Sequence, residues 1–501
     1  MSELFERLRP HLDRGMALET ALTLFNWDTE TLAPTTAVER TAKVVGILSG
    51  EYYEAVLNPQ VRELLAALQA PGEREKLTDA ERAMVKELQK NTEELERIPP
   101  REYRDYSRLL ARAGSIWANA REKGDFSLFE PVLTEIVDTV RRFAGYRAKP
   151  GQSLYDVYLE DYEEGFGAAR LESFFGELRE AVVPLLRRIR ESGREIDRSF
   201  NARYYPAPLQ REFCKKLSQA VGFDYGRGAA GESAHPFTTA LHNRDVRYTN
   251  HFDEHCLDSA LFSAIHESGH GIYEQNIADE LTQTPVGKGA SMGVHESQSR
   301  FFENMVGRSR AFWVPLYPRL QETFPEQLGD VTLDGFVAGI NRVEPSLIRI
   351  HADELTYPLH IMVRFELEKA LFAGELQVHD LPGAWNEKYR EYLGVTPPDD
   401  GQGVLQDTHW AGGMFGYFPT YALGSAIAAQ LYAHLKKKLP FEELLESGNL
   451  APIREELREH IHRFGATKTT DELLKAMTGE GFQAHYYVEY LEEKYSRLYG
   501  V

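Results

Sequence analysis

Along most of the chain, apolar residues recur every three or four positions between charged ones, as in Leu171 to Val182 and Leu423 to Leu439. That spacing lays one apolar stripe along a 3.6-residue helix and predicts a mainly α-helical protein. One segment breaks the rhythm. From Phe237 to Phe252, threonine, valine, tyrosine and phenylalanine gather around the polar run His242-Asn243-Arg244-Asp245, which predicts two short strands joined by a turn. Proline and glycine clusters at Pro99-Pro100, Pro150-Gly151, Gly226 to Gly231 and Thr396 to Gly403 are short enough to be loops between helices, and no repeat or low-complexity linker separates them. The organisation expected is a single domain over residues 1–501. Tyr486, Tyr487, Tyr490 and Tyr495 fall at helical spacing and are expected to pack rather than react.

The same pattern excludes several classes. The most apolar stretch, Tyr421 to Leu435, is interrupted by Gln430 and His434 and falls short of the ~18 uninterrupted residues of a membrane helix. The N-terminal run MSELFERLRPHLDRG has neither the apolar segment nor the cleavage site of a signal peptide, so a soluble, cytoplasmic protein is expected. Two cysteines, Cys214 and Cys256, form no C-x-x-C pair and are expected to be packing residues. A net charge of −20, with both signs mixed along the chain, argues against nucleic acid or an anionic membrane as partner. It also means that a substrate bearing a carboxylate needs a locally placed positive charge.

The chemistry concentrates in a helical pattern running from Leu257 to His270 and ending in His266-Glu267-Ser268-Gly269-His270. Histidines at i and i+4 share one helix face and can reach a single ion. Glu267 lies about 100° round the helix from His266, within reach of a water on that ion without ligating it. Gly269 and Gly271 each weaken the helix by roughly 1 kcal/mol relative to alanine, which makes sense where metal or backbone needs the space. The competing reading is a surface helix whose histidines merely pack, but fewer than ~0.1 chance H-E-x-x-H runs are expected in such a chain. A catalytic zinc takes three protein ligands and water. The run Ser291 to Glu303, about 25 residues downstream, predicts a second helix with Ser291 near its cap. Glu296 is the favoured third ligand there, while spacing alone leaves His295 and Glu303 open. Asp258 or Asp279 is a candidate to orient a ligand imidazole through its other nitrogen.

Six segments in order carry a family resemblance: His235-Pro236-Phe237, Asp245-Val246-Arg247-Tyr248-Thr249, the H-E-S-G-H pair, His295-Glu296-Ser297-Gln298, Ile348-Arg349-Ile350-His351-Ala352-Asp353, and Gly403-Val404-Leu405-Gln406-Asp407-Thr408-His409-Trp410. Over nearly its full length the chain resembles the thermostable metallocarboxypeptidase family, carboxypeptidase Taq. The resemblance implies a helical, two-lobed body with a deep groove and a small sheet beside the site. It also implies a homodimer, Glu296 as third ligand, and removal of single residues from peptide C-termini.

The mechanism expected is metal-assisted hydrolysis without a covalent intermediate, with one divalent ion per chain, zinc or else cobalt, and Glu267 as general base. His409, Tyr417 and Tyr421 are candidate donors to the developing oxyanion, each tyrosine being equally readable as a core aromatic. Arg349 is the candidate receiver of the substrate's terminal carboxylate, Arg247 the fallback, and His235 a further substrate-binding candidate. Arg349 and Asp353, four apart on an expected helix, also suit a local ion pair, as do Asp245 and Arg247. The alternatives carried are an oligopeptide endopeptidase or dipeptidyl carboxypeptidase of related helical fold, and a non-catalytic peptide-binding metalloprotein.

Overall fold

A computed structural model describes residues 2–501, apart from the side chains of residues 91 and 93–96. Helices dominate, one three-stranded sheet accompanies them, and the internal packing divides the chain into two compact units. Among the described residues, no helix is long and apolar enough to cross a membrane.

The first unit comprises Met1–Glu93, Asp197–Ile340 and Leu431–Gly481. Its N-terminal core joins Phe5, Leu8 and Leu12 of the helix Glu3–Thr31 to Val61, Leu64, Leu65 and Leu68 of the helix Pro59–Leu68, and both to Ile277, Leu281 and Val286. The sheet follows in the chain as β1 (Gly228–Glu232), β2 (Thr238–His242) and β3 (Asp245–Asn250), with β3 in the centre. β2 and β3 form the expected hairpin, pairing antiparallel with Thr239 opposite Arg247 and a bulge between Ala240 and His242. β1 pairs with β3 in parallel, Ala230 opposite Tyr248. The run Gly226 to Gly231, expected to be a loop, is therefore mostly strand. A Cβ on Gly228 would stand 2.3 Å from the Val246 carbonyl oxygen, so glycine here admits a close backbone neighbour.

The helix Leu257–Gln275 packs on this sheet, with Leu257, Ala260, Leu261, Ala264 and Ile265 fully buried. The helix Met292–Arg300 lies against it, started by the Ser291 hydroxyl, which accepts from the Val294 N–H at 3.1 Å. Beyond Arg300 the chain widens into a π-helical turn, Phe301–Gly307. Gly269 shows why the two helices approach so closely. A Cβ there would lie 2.7 Å from both the Gln298 carbonyl oxygen and the Ser299 Cα, while one on Gly271 would meet the Phe223 ring at 2.6 Å. The glycines make room for backbone and ring.

The second unit comprises Glu94–Ile196, Asn341–Gln430 and Phe482–Val501. Its long helices include Glu130–Arg147, Ala168–Glu191 and Tyr357–Ala373. Trp385 stacks on Tyr389 at 5.1 Å, with the buried Arg364 guanidinium 4.5 Å above the indole. In the C-terminal helix His485–Tyr499, Tyr487 and Tyr495 are buried as expected, and Tyr490 and Tyr495 also donate to the carboxylate of Glu354 at 2.8 and 3.0 Å.

Candidate active site

One helical turn on Leu257–Gln275 brings the His266 and His270 rings to 4.9 Å. The neighbouring helix adds Glu296, whose Oε2 lies 3.7 Å from His266 Nε2 and 3.5 Å from His270 Nε2. These separations exceed ordinary hydrogen bonds. They suit ligands of one ion, because donors each ~2.1 Å from a tetrahedral centre stand ~3.4 Å apart. The three residues offer ligand atoms within 4.8 Å of one another and form a candidate metal site.

The outer nitrogens of both rings are engaged, which turns the inner ones toward Glu296. His266 Nδ1 sits 2.9 Å from Glu303 Oε2, and His270 Nδ1 2.6 Å from His295 Nδ1, whose own Nε2 is 2.8 Å from Glu274 Oε1. If both Nε2 atoms present lone pairs inward, each Nδ1–H donates outward. The chain of donation then runs from His270 to His295 to Glu274, and from His266 to Glu303 directly. His295 and Glu303, open as third ligands from spacing, thus stand behind His270 and His266. The two aspartates named as candidates for that task have other partners. Asp258 pairs with Arg198, and Asp279 accepts from Asn243 Nδ2 at 2.8 Å and Arg244 Nη2 at 2.6 Å. Asp258 begins the helix two turns before His266, and Asp279 lies beyond the helix end, so neither is at the level of the imidazoles.

Electrostatics follow this arrangement. Burial holds His270 down to about 3, whereas His266 moves upward because the Glu296 and Glu303 carboxylates outweigh its burial. Burial alone would raise Glu296 and Glu303, but the Arg300 guanidinium and His266 hold both well below the usual carboxylate range. Glu267 is pushed up by burial, being 7% exposed, and is anchored by the Thr238 hydroxyl of β2, which donates to Oε2 at 2.6 Å.

In the second unit, Arg349, His409, Tyr417 and Tyr421 are brought together. His409 Nε2 is 3.2 Å from the Tyr421 hydroxyl, the Tyr417 and Tyr421 rings meet edge-on at 5.2 Å, and the Arg349 guanidinium lies 4.9 Å from the Tyr421 ring centre. Arg349 does not pair with Asp353. The expected helix is only a 3-10 turn, Arg349–His351, and Asp353 instead accepts from the Leu355 and Thr356 N–H groups ahead of the helix Tyr357–Ala373. The partner of Arg349 is Asp407, 2.9 Å from Nη2, which also accepts from Arg364 Nε at 2.7 Å. Two guanidiniums on one carboxylate leave a net positive charge. Arg247 is committed to Asp245 through two parallel bonds of 2.8 Å, and His235 is exposed, its carbonyl accepting from the Ser233 hydroxyl.

Two imidazoles and a carboxylate gathered beside a second, anchored carboxylate in a helical body define a metal-dependent peptidase. The family model of the carboxypeptidase Taq (M32) metallopeptidases matches residues 7–495, and the chain belongs to that family. It is an enzyme of the metallocarboxypeptidase class, for which a divalent metal ion is implied. It is 43% identical to carboxypeptidase 1 of Bacillus subtilis, covering 96% of this chain and 95% of that one, and 41% identical to thermostable carboxypeptidase 1 of Thermus thermophilus over 95% and 94%. Among solved structures, the M32 carboxypeptidase of Deinococcus radiodurans matches with a TM-score of 0.95 at 36% identity, covering 99% of this chain and 100% of that one.

Proposed function

We propose that the enzyme removes single amino acids from the free C-termini of peptides, with His266, His270 and Glu296 holding one zinc ion and Glu267 as general base. The observation that carries this reading is the convergence of both Nε2 atoms on Glu296 Oε2, with Glu267 anchored next to His266 on the same helix. Cobalt suits the same ligands, and affinity order alone does not choose between them. When bound, the ion supplies Lewis-acid polarisation to a carbonyl and to water.

The chain's own residues do the rest. Glu267, tied through Oε2, keeps Oε1 for the proton of the attacking water and passes it to the leaving amine. Its burial suits that task by making the carboxylate a stronger base than a solvated one. Arg349 receives the terminal carboxylate, supported by the excess positive charge it shares with Arg364 over Asp407. His409, Tyr417 and Tyr421 act as hydrogen-bond donors to the substrate, supported by their grouping with Arg349. Arg247 and His235 remain secondary substrate contacts in this reading. The family match across residues 7–495 supports one catalytic domain. A cytoplasmic homodimer completes the proposal, the dimer resting on the family resemblance.

The test is to incubate the zinc-loaded protein with an N-terminally blocked peptide, as free acid and as C-terminal amide, and to weigh the products. A ladder of single-residue losses from the acid alone is expected. Internal fragments would make the enzyme an endopeptidase, losses of two residues a dipeptidyl carboxypeptidase, and intact peptide a binding protein.

A further inference from the structure

Arg300 grips two buried carboxylates at once. Its Nε donates to Glu296 Oε1 at 2.7 Å and its Nη1 to Glu303 Oε2 at 3.0 Å. The second of these oxygens is the one that faces His266 Nδ1 at 2.9 Å. One guanidinium therefore holds one candidate ligand directly and another through a shared oxygen. The remaining Glu303 oxygen accepts from Arg308 Nη2 at 3.1 Å, and Arg308 is itself fixed by the Ile340 carbonyl and by the Phe262 ring 4.0 Å away.

The two oxygens of Glu296 have different surroundings. Oε1 has the charge-assisted bond from Arg300, while Oε2 faces both imidazoles. The Ser299 hydroxyl, with a single proton, lies nearer the Glu296 carbonyl at 2.7 Å than Oε2 at 3.2 Å, so Oε2 keeps its inward lone pairs. A carboxylate free at both oxygens can close both onto an ion and raise its coordination number at the expense of the position that water and substrate need. Position in the chain adds to the case. Glu296, Arg300 and Glu303 are spaced four and three apart and share a helix face, and the π-helical turn containing Glu303 begins just after Arg300.

We propose that Arg300 is a positioning residue that keeps Glu296 a one-oxygen ligand and, through Glu303, fixes the orientation of His266. The inference rests on the ligand assignment made above. Arg300 is not among the candidate ligands and acts through the two glutamates. It sets the number of open positions on the ion by occupying the ligand's other oxygen.

The test uses the full chain, stripped of metal and titrated with cobalt(II), reading the dissociation constant by chelator competition and the coordination number from the visible absorption band. Arg300→Met is expected to bind cobalt about 10- to 100-fold more weakly than the parent, as loss of an outer partner typically does. Its band should weaken in the direction of higher coordination. Arg300→Lys, which keeps the charge without the two-pronged reach, should shift in the same direction and carries the test if the methionine variant does not fold. Arg308→Met, which removes the donor to the far oxygen of Glu303 and leaves both Arg300 bonds in place, should keep the parent's band. Parental affinity and band in both Arg300 variants, or an equal change in Arg308→Met, would overturn the proposal while leaving the ligand assignment intact if Glu296→Gln still loses cobalt. Parental binding in Glu296→Gln would overturn the assignment, and the proposal with it.

Discussion

The Thr238 hydroxyl donates to Oε2 of Glu267 at 2.6 Å, nearer than the Glu267 main-chain oxygen at 3.0 Å, so one side chain of β2 anchors the carboxylate. The hairpin is thereby part of the catalytic apparatus in the proposed mechanism. Thr238→Val keeps the shape and removes the donor. It should lower kcat by roughly 10-fold, about 1.4 kcal/mol, with zinc content unchanged. Unchanged kcat would mean that the anchor is dispensable.

The contact between Gly269 and the neighbouring backbone predicts opposite outcomes for two glycine-to-alanine changes. Gly269→Ala puts a Cβ 2.7 Å from the Gln298 carbonyl oxygen, and should cost about 1–3 kcal/mol as the two site helices are forced apart. Gly176, inside the helix Ala168–Glu191, has nothing within 4 Å of its added Cβ, and Gly176→Ala should stabilise by about 0.4–1 kcal/mol. Urea denaturation of both variants checks the pair.

Asp407 predicts a pH dependence. Burial pushes its carboxyl up, but Arg364 and Arg349 outweigh it and hold it well below the unfolded value of 3.8. A depressed carboxyl contributes stability that is complete above the unfolded value and is lost as the pH falls below it toward the folded one. Asp407→Asn, which leaves two buried guanidiniums without their counter-ion, should cost about 3–5 kcal/mol at neutral pH. The difference from the parent should narrow progressively below about pH 4. Denaturation midpoints measured across pH check both parts, and a difference that widens in acid would refute the assignment.

How much of this was legible in the sequence depends on the range of the interaction. The H-E-x-x-H helix, the Ser291 cap and the hairpin around His242 to Asp245 follow from spacing and turn chemistry, and each stands where expected. β1 was hidden because its glycines look like a break, their purpose lying in the approach of β3 and of Trp27, which a Cβ on Gly231 would meet at 3.0 Å. Arg349 was assigned a neighbour four residues away, while its partner Asp407 lies 58 residues on. Glu303 did leave a signal. It sits seven residues after Glu296, two turns along the same face, and that face is where a partner for His266 had to be. Asp258 and Asp279 have the chemical type for that task but pair with Arg198 and Arg244 instead.

The proposed role of Arg349 separates substrates by their ends. Arg349→Ala should lower kcat/KM for free-acid peptides by about 2–4 kcal/mol and leave the slow turnover of amidated peptides nearly unchanged. Arg349 also pairs with Asp407, and loss of the fold through that pair would show as an equal depression of both substrate types. An equal loss on acid and amide would make Arg349 structural.

The central claim is the division of labour between two glutamates, one that moves protons and one that holds the ion. It is tested most directly by measuring bound zinc and turnover side by side in Glu267→Gln and Glu296→Gln. Glu267→Gln should keep about one zinc per chain and lose at least 100-fold in kcat, as removal of a general base does. Glu296→Gln should lose zinc on dialysis against a weak chelator. Equal zinc loss in both variants, or substantial turnover in Glu267→Gln, would contradict the account.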